Sequence, residues 1–120
     1  MKRIFTLSLL LIGLTVLLGS CTKRGFYEDE DYWLRQERGV VVYSSNDCNY
    51  IVVETFDGYT ILRASGGFLP FEGDVVYGDL SYYGYGTFYN FTAGRTFQGT
   101  VTDYWLNYFT AQDKIDYYCY

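Results

Sequence analysis

The chain of 120 residues carries fourteen acidic side chains and fifteen tyrosines but no histidine. Without histidine there is no Ser-His-Asp or Cys-His nucleophile and no histidine-based metal site. Carboxylates alone can hydrolyse a glycosidic bond when two of them flank it. Glu72, Asp74 and Asp79 have spacings that permit an attempt, because Glu72 and Asp74 share a face if a strand runs through them. The plainer reading, in which these acids solubilise a loop and the start of a strand, is preferred. No catalytic residue, metal or cofactor is expected.

Contact chemistry is more prominent. The stretch YGDLSYYGYGTFYNF, residues 77–91, holds seven rings with glycines set between them. Two-residue alternation puts Tyr83, Tyr85, Thr87, Tyr89 and Phe91 on one face, and Gly84, Gly86, Phe88 and Asn90 on the other. Fifteen tyrosines are too many for the interior of so small a domain, because a buried phenol needs a partner for its hydroxyl. Some must be displayed, where rings serve protein contacts or stack on sugars. The segment serves mainly as barrel wall on one reading and as a recognition surface on the other, for which Tyr82, Tyr83, Tyr85 and Tyr89 are the candidate binding residues. Which face of 83–91 points inward is left open.

These groups sit behind a leader. Lys2 and Arg3 precede an apolar run from Ile4 to Leu18, which suits a signal peptide and is short of the ~20 residues of a membrane span. The run ends in Leu18-Gly19-Ser20-Cys21, which resembles the lipobox of bacterial lipoproteins. The resemblance implies cleavage before Cys21 and lipidation of its thiol. It implies residence in the bacterial cell envelope, at the outer membrane on its periplasmic face or at the cell surface. Two or three acyl chains, at about 0.8 kcal/mol per buried methylene, hold a small domain on a bilayer. The chain then divides into a signal peptide (1–20), the lipidated cysteine with an acidic spacer (21–38), and a domain (39–120).

With the leader removed, seven basic residues face fourteen acidic ones, a formal −7. That charge opposes nucleic acid, which is held through basic contacts to phosphate. With Cys21 committed to lipid, Cys48 and Cys119 remain, and in an oxidising compartment such a pair is expected to form a disulfide.

The domain itself reads as β. Val40–Tyr43 is an apolar run expected to be a short buried strand, and Ser44–Asp47 a turn. Asp57-Gly58 separates Tyr50–Thr55 from Tyr59–Ala64, a hairpin signal that predicts Phe56 opposite Tyr59, Val53 opposite Leu62, and Glu54 diagonal to Arg63. The hairpin is apolar on both faces, so something must cover it, and a helix from the C-terminal tail is the economical candidate. Ser65–Gly73 reads as a loop, then strands follow at 74–80, 85–92 and 96–105, the last with Phe97, Gly99 and Val101 on one face. Thr110 with Asp113 predicts an N-cap for a short helix whose Ile115 and Tyr118 lie on the hairpin.

The expected fold is therefore all-β with a short C-terminal helix: five or six antiparallel strands in a small barrel or sandwich, OB-like or SH3-like. Gly73–Gly78, GDVVYG, with the glycine-containing strand after it, resembles oligonucleotide/oligosaccharide-binding barrels in shape. The expected function is binding without catalysis, with an envelope protein or a glycan as partner. The alternatives are a structural accessory subunit of an envelope complex or, last, a carboxylate-based hydrolase.

Overall fold

The computed structural model describes residues 30–120. The leader, the lipobox-like stretch, Cys21 and the rest of the spacer as far as residue 29 lie outside the described residues. A helical turn ends at Leu34, and six strands follow: β1 (Glu37–Ser45), β2 (Cys48–Thr55), β3 (Gly58–Gly67), β4 (Val75–Gly78), β5 (Gly84–Asn90) and β6 (Arg95–Leu106). The chain finishes in a helix, Tyr108–Cys119. Two three-stranded meanders close on each other as an antiparallel barrel in the order β1-β2-β3-β6-β5-β4, with β4 returning to β1. Of the two expected architectures, closure selects the barrel, and its shape is compatible with an OB-like one. Closure also pairs the edges that an open sheet of this size would expose.

The interior is filled by the inward alternate residues. Val41, Ile51, Val53, Leu62, Val76, Phe88, Phe97 and Val101 form the core, joined by Leu80. Phe88 and Phe97 are register partners on β5 and β6, and their rings stack with centroids 5.6 Å apart. Glycine makes room for them: the Phe88 ring occupies the place that a Cβ on Gly78 would take. None of its fully buried members is a tyrosine, although Tyr104, half-buried, packs against it from β6. Phenylalanine and β-branched residues pack without a hydroxyl to satisfy, so the tyrosines are left for the outside.

Several local expectations are corrected. Val40–Tyr43 is not uniformly buried, because the β1–β2 register shifts around Val42 and leaves it 41% exposed. The β2–β3 turn is Phe56-Asp57, with Thr55 opposite Gly58, Val53 opposite Thr60 and Ile51 opposite Leu62. Only Gly58 takes positive φ there, at +135°, so the turn is not the doubly left-handed type that Asp-Gly signals. Thr55 fixes it instead: its Oγ1 accepts from Asp57 N at 3.1 Å and donates to Gly58 O at 3.0 Å. The register moves by an even step, so the faces are as expected. Glu54 now lies opposite Tyr59 and Arg63 opposite Tyr50, four positions apart rather than diagonal.

β3 also runs on to Gly67, into the expected loop, with a register shift between Ala64 and Gly66. β4 stops at Gly78. Leu80 then turns inward and plugs the barrel end, and its carbonyl accepts from the buried Thr60 Oγ1 at 2.8 Å. The helix N-cap is Asn107, whose side chain accepts from Thr110 N at 2.8 Å, three residues ahead of the expected cap.

The C-terminal helix covers the outer face of the hairpin as expected. Ala111 and Ile115 pack on Val52 and Ile61, with Tyr43, Tyr50, Tyr59, Leu106, Tyr118 and Cys119 around them. Tyr118 stacks on Tyr50 at 4.5 Å. Cys48 and Cys119 are disulfide-bonded with Cα atoms 5.5 Å apart, joining the helix end to the start of β2. Closing a loop of this length contributes about 4 kcal/mol by the chain-entropy estimate. The bond points to an extracytoplasmic setting. Among the described residues, no helix is long and apolar enough to cross a membrane.

Candidate functional site

The open question about residues 83–91 has an answer. Phe88 and Asn90 point into the barrel, while Tyr82, Tyr83 and Tyr85 stand 68%, 70% and 69% exposed. Gly84 pairs with Val101 and Tyr85 with Thr100, so Tyr83 continues the outer face of β5 toward Tyr104 of β6. The Tyr83 and Tyr104 rings meet at 4.8 Å with planes tilted by 60°. Tyr104 in turn meets Trp105 edge-on at 5.5 Å and 88°.

Trp105 is the least expected member. Its φ of +58° is the only positive value at a non-glycine residue among those described. A bulky residue there is strained by about 1–3 kcal/mol and persists only where the surroundings over-determine it. Here they do. The indole Nε1 donates to Ser81 Oγ at 2.8 Å, and Ser81 donates to Glu37 Oε1 at 2.8 Å. The second oxygen of that carboxylate, Oε2, is buried without a protein partner. The result is an indole that is 60% exposed yet fixed in position.

Tyr89 belongs elsewhere. Four residues beyond Tyr85, roughly 13 Å along the strand, it stacks on Trp33 at 5.9 Å and meets Phe91 edge-on at 6.4 Å. Phe91 is also edge-on to Tyr77, at 6.1 Å. Tyr89 is half-buried in this second cluster, so the structure brings Tyr83 to Tyr104 and Trp105 but does not bring Tyr89 to them. Tyr104 was within reach of sequence reasoning, since alternation on β6 places it with Thr100 and Thr102. Trp105, Ser81 and Glu37 were not, because a reversed φ and a hydrogen-bond chain between distant segments leave no periodic trace.

Two of the three carboxylates considered for hydrolysis, Glu72 and Asp74, have structural partners, and Asp79 is exposed. Glu72 Oε2 accepts from Ser44 N at 3.3 Å. Asp74 Oδ2 accepts from Phe71 N at 3.0 Å and from Asn90 Nδ2 at 2.9 Å. Another acid, Asp103, reaches the helix, where Lys114 Nζ stands 3.4 Å from Oδ1 and the Tyr118 hydroxyl donates to Oδ2 at 2.8 Å. The β3–β6 register shifts beside it, between Ile61 and Leu62. Among the described residues, no group of three His, Cys, Asp or Glu could hold a metal ion.

Three tyrosines around the helix-covered face ionise above the ordinary phenol range. Burial is the main cause for Tyr118, followed by its bond to the Asp103 carboxylate. Burial also leads for Tyr59, with the charge of Glu54 behind it. For Tyr43 the main cause is the hydroxyl contact with Tyr120, at 3.2 Å. No protein-family model, curated protein or solved structure matches the chain.

Proposed function

We propose that this chain is a lipid-anchored binding domain of the bacterial envelope, without catalysis, which engages another protein through an aromatic patch of Tyr82, Tyr83, Tyr85, Tyr104 and Trp105. The observation that carries the reading is the fixed, exposed Trp105 beside Tyr104 and Tyr83. Tyrosine and tryptophan are the side chains that anchor protein interfaces, and an anchor ordered in advance loses less entropy on binding. A sugar-stacking platform favours rings side by side. The tilts of 60° and 88° favour an irregular protein surface over a glycan. Every strand of the closed barrel has a neighbour on both sides, which weighs for a binding role over a structural accessory one. The envelope setting rests on the lipobox-like stretch before Cys21 and agrees with the Cys48–Cys119 disulfide.

A photoreactive residue at position 85, introduced in the native host, tests the reading. Crosslinking is expected to trap a discrete protein, and the band is expected to fade when Trp105→Ala is added. A folded protein that traps nothing, or traps only glycan, sinks the proposal.

A further inference from the structure

At the opposite end of the barrel from Trp105, the β1–β2 turn, the β3–β4 loop and the β5–β6 turn surround a cleft of ≈ 300 Å³ lined by Phe68, Leu69, Phe71, Asp74, Asn90 and Arg95. We propose that this cleft binds the C-terminal end of a peptide chain, its free carboxylate on Arg95 and an apolar last side chain against Phe68 and Phe71.

The wall is set before any ligand arrives. The loop from Phe68 to Asp74 is fastened to β1 by Ser44 Oγ, which donates to Pro70 O at 2.6 Å, and by Val41 N, which donates to Asp74 O at 2.9 Å. Asp74 clamps the loop from inside through Phe71 N and Asn90 Nδ2. Phe68 and Phe71 nevertheless stay 68% and 71% exposed, although Leu69 between them packs on the core. Two phenylalanines held in water on a rigid loop leave apolar area to be covered by something outside the domain.

Arg95 supplies the polar half. Its guanidinium lies over the Phe68 ring, 4.3 Å from the centroid. A cation held over a ring in this way keeps N–H groups available, and a guanidinium can grip a carboxylate with two parallel bonds. Among the described residues no carboxylate lies within ion-pair distance of Arg95, although the domain is strongly acidic. The nearby acids are already engaged, Glu72 with Ser44 N and Asp74 with its two donors. An anion is therefore wanted at Arg95 and opposed at Asp74. One terminal carboxylate next to a backbone N–H, which Asp74 accepts, matches that division; a polyanion does not. The volume is at the lower limit of ligand pockets, about 300–1,000 Å³, so one or two residues fill it.

The cleft and the aromatic patch are at separate barrel ends, so this inference stands apart from the proposed function. The test is a titration of the 21–120 protein, followed by backbone NMR shifts, with N-acetyl-glycyl-leucine and with its C-terminal amide. The acid is expected to shift the amides of 68–74 and 91–95 saturably and to bind about tenfold tighter than the amide form. Arg95→Gln should erase the acid's advantage, while Phe68→Ala should weaken both forms. Circular dichroism melting of each variant establishes that the barrel is intact. The proposal is overturned by equal binding of acid and amide, by an advantage that survives Arg95→Gln, or by no saturable shift up to ~10 mM.

Discussion

The barrel has two tyrosine-bearing outer walls, one sealed and one open. On β2 and β3 the outward residues include Val52 and Ile61, and the C-terminal helix lies over them until they are 4% and 0% exposed. On β5 and β6 the outward residues include Tyr83, Tyr85, Thr100 and Tyr104, and among the described residues no helix covers them. The difference follows from what each side chain does when uncovered. A branched aliphatic group left in water forfeits its burial energy, about 1.5–3 kcal/mol per side chain. Tyrosine and threonine offer a ring or methyl to a neighbour and a hydroxyl to water. The sealed wall is a stability device, and the open wall is where the molecule can meet something else without unfolding.

The comparison can be broken first at its sealed side. Ile115 is 4% exposed between Val52 and Ile61, so Ile115→Ala should cost about 2–4 kcal/mol in urea unfolding of the oxidised protein. A loss below half a kilocalorie would mean that the helix is dispensable to the barrel. A smaller effect comes from alkali. The Tyr118 phenol is held neutral by burial and by Asp103, so its pKa is raised in the folded state. The stability this gives is complete below the ordinary phenol value of about 10 and falls as pH climbs past it. Tyr118→Phe should cost about 1 kcal/mol near neutrality through the lost Asp103 bond and should flatten the fall above pH ~10. An unchanged alkaline slope would move the effect to Tyr59 or Tyr43. The smallest effect is expected on the open wall, where Tyr85→Ser should change stability by less than about 0.5 kcal/mol while removing a ring from the patch. A large loss there would show that the open wall is structural after all.

Much of this contrast could be read from the residues, and the reasons for the rest are specific. Alternation along 83–91 and 96–102 is a property of extended backbone itself, so it separated Phe88 and Phe97 from the tyrosines before any fold was known. The need for a helix over Val52 and Ile61 followed from a hairpin apolar on both sides. The hairpin register did not follow, because Asp57-Gly58 carries a strong turn signal while Thr55, through its own hydroxyl, fixes the turn one residue earlier. The helix starts earlier than expected because Thr110 and Asn107 are both competent caps, and Asn107 is the one whose side chain takes the Thr110 N–H. At the patch, Tyr82, Tyr83 and Tyr85 were legible as displayed rings. Trp105 was not, because its position depends on Ser81 and Glu37, which are 24 and 68 residues away in sequence. Arg95 over Phe68 depends in the same way on where two loops meet, and no local pattern encodes that meeting.

The bridge between Cys48 and Cys119 has a mechanical consequence. Tension applied between the start of the domain and Tyr120 travels along β1, crosses the two sulfur atoms, and leaves through the last residue. The segment inside the 71-residue loop carries none of the load. Pulling can peel β1 away from β2 and β4, but it cannot lengthen β2 through the helix while the bond is intact. At roughly 3.5 Å per residue, reduction would release about 250 Å of hidden length. A domain pulled in this way gives up one strand and no more, and the chain beyond Cys48 behaves as a fixed knot.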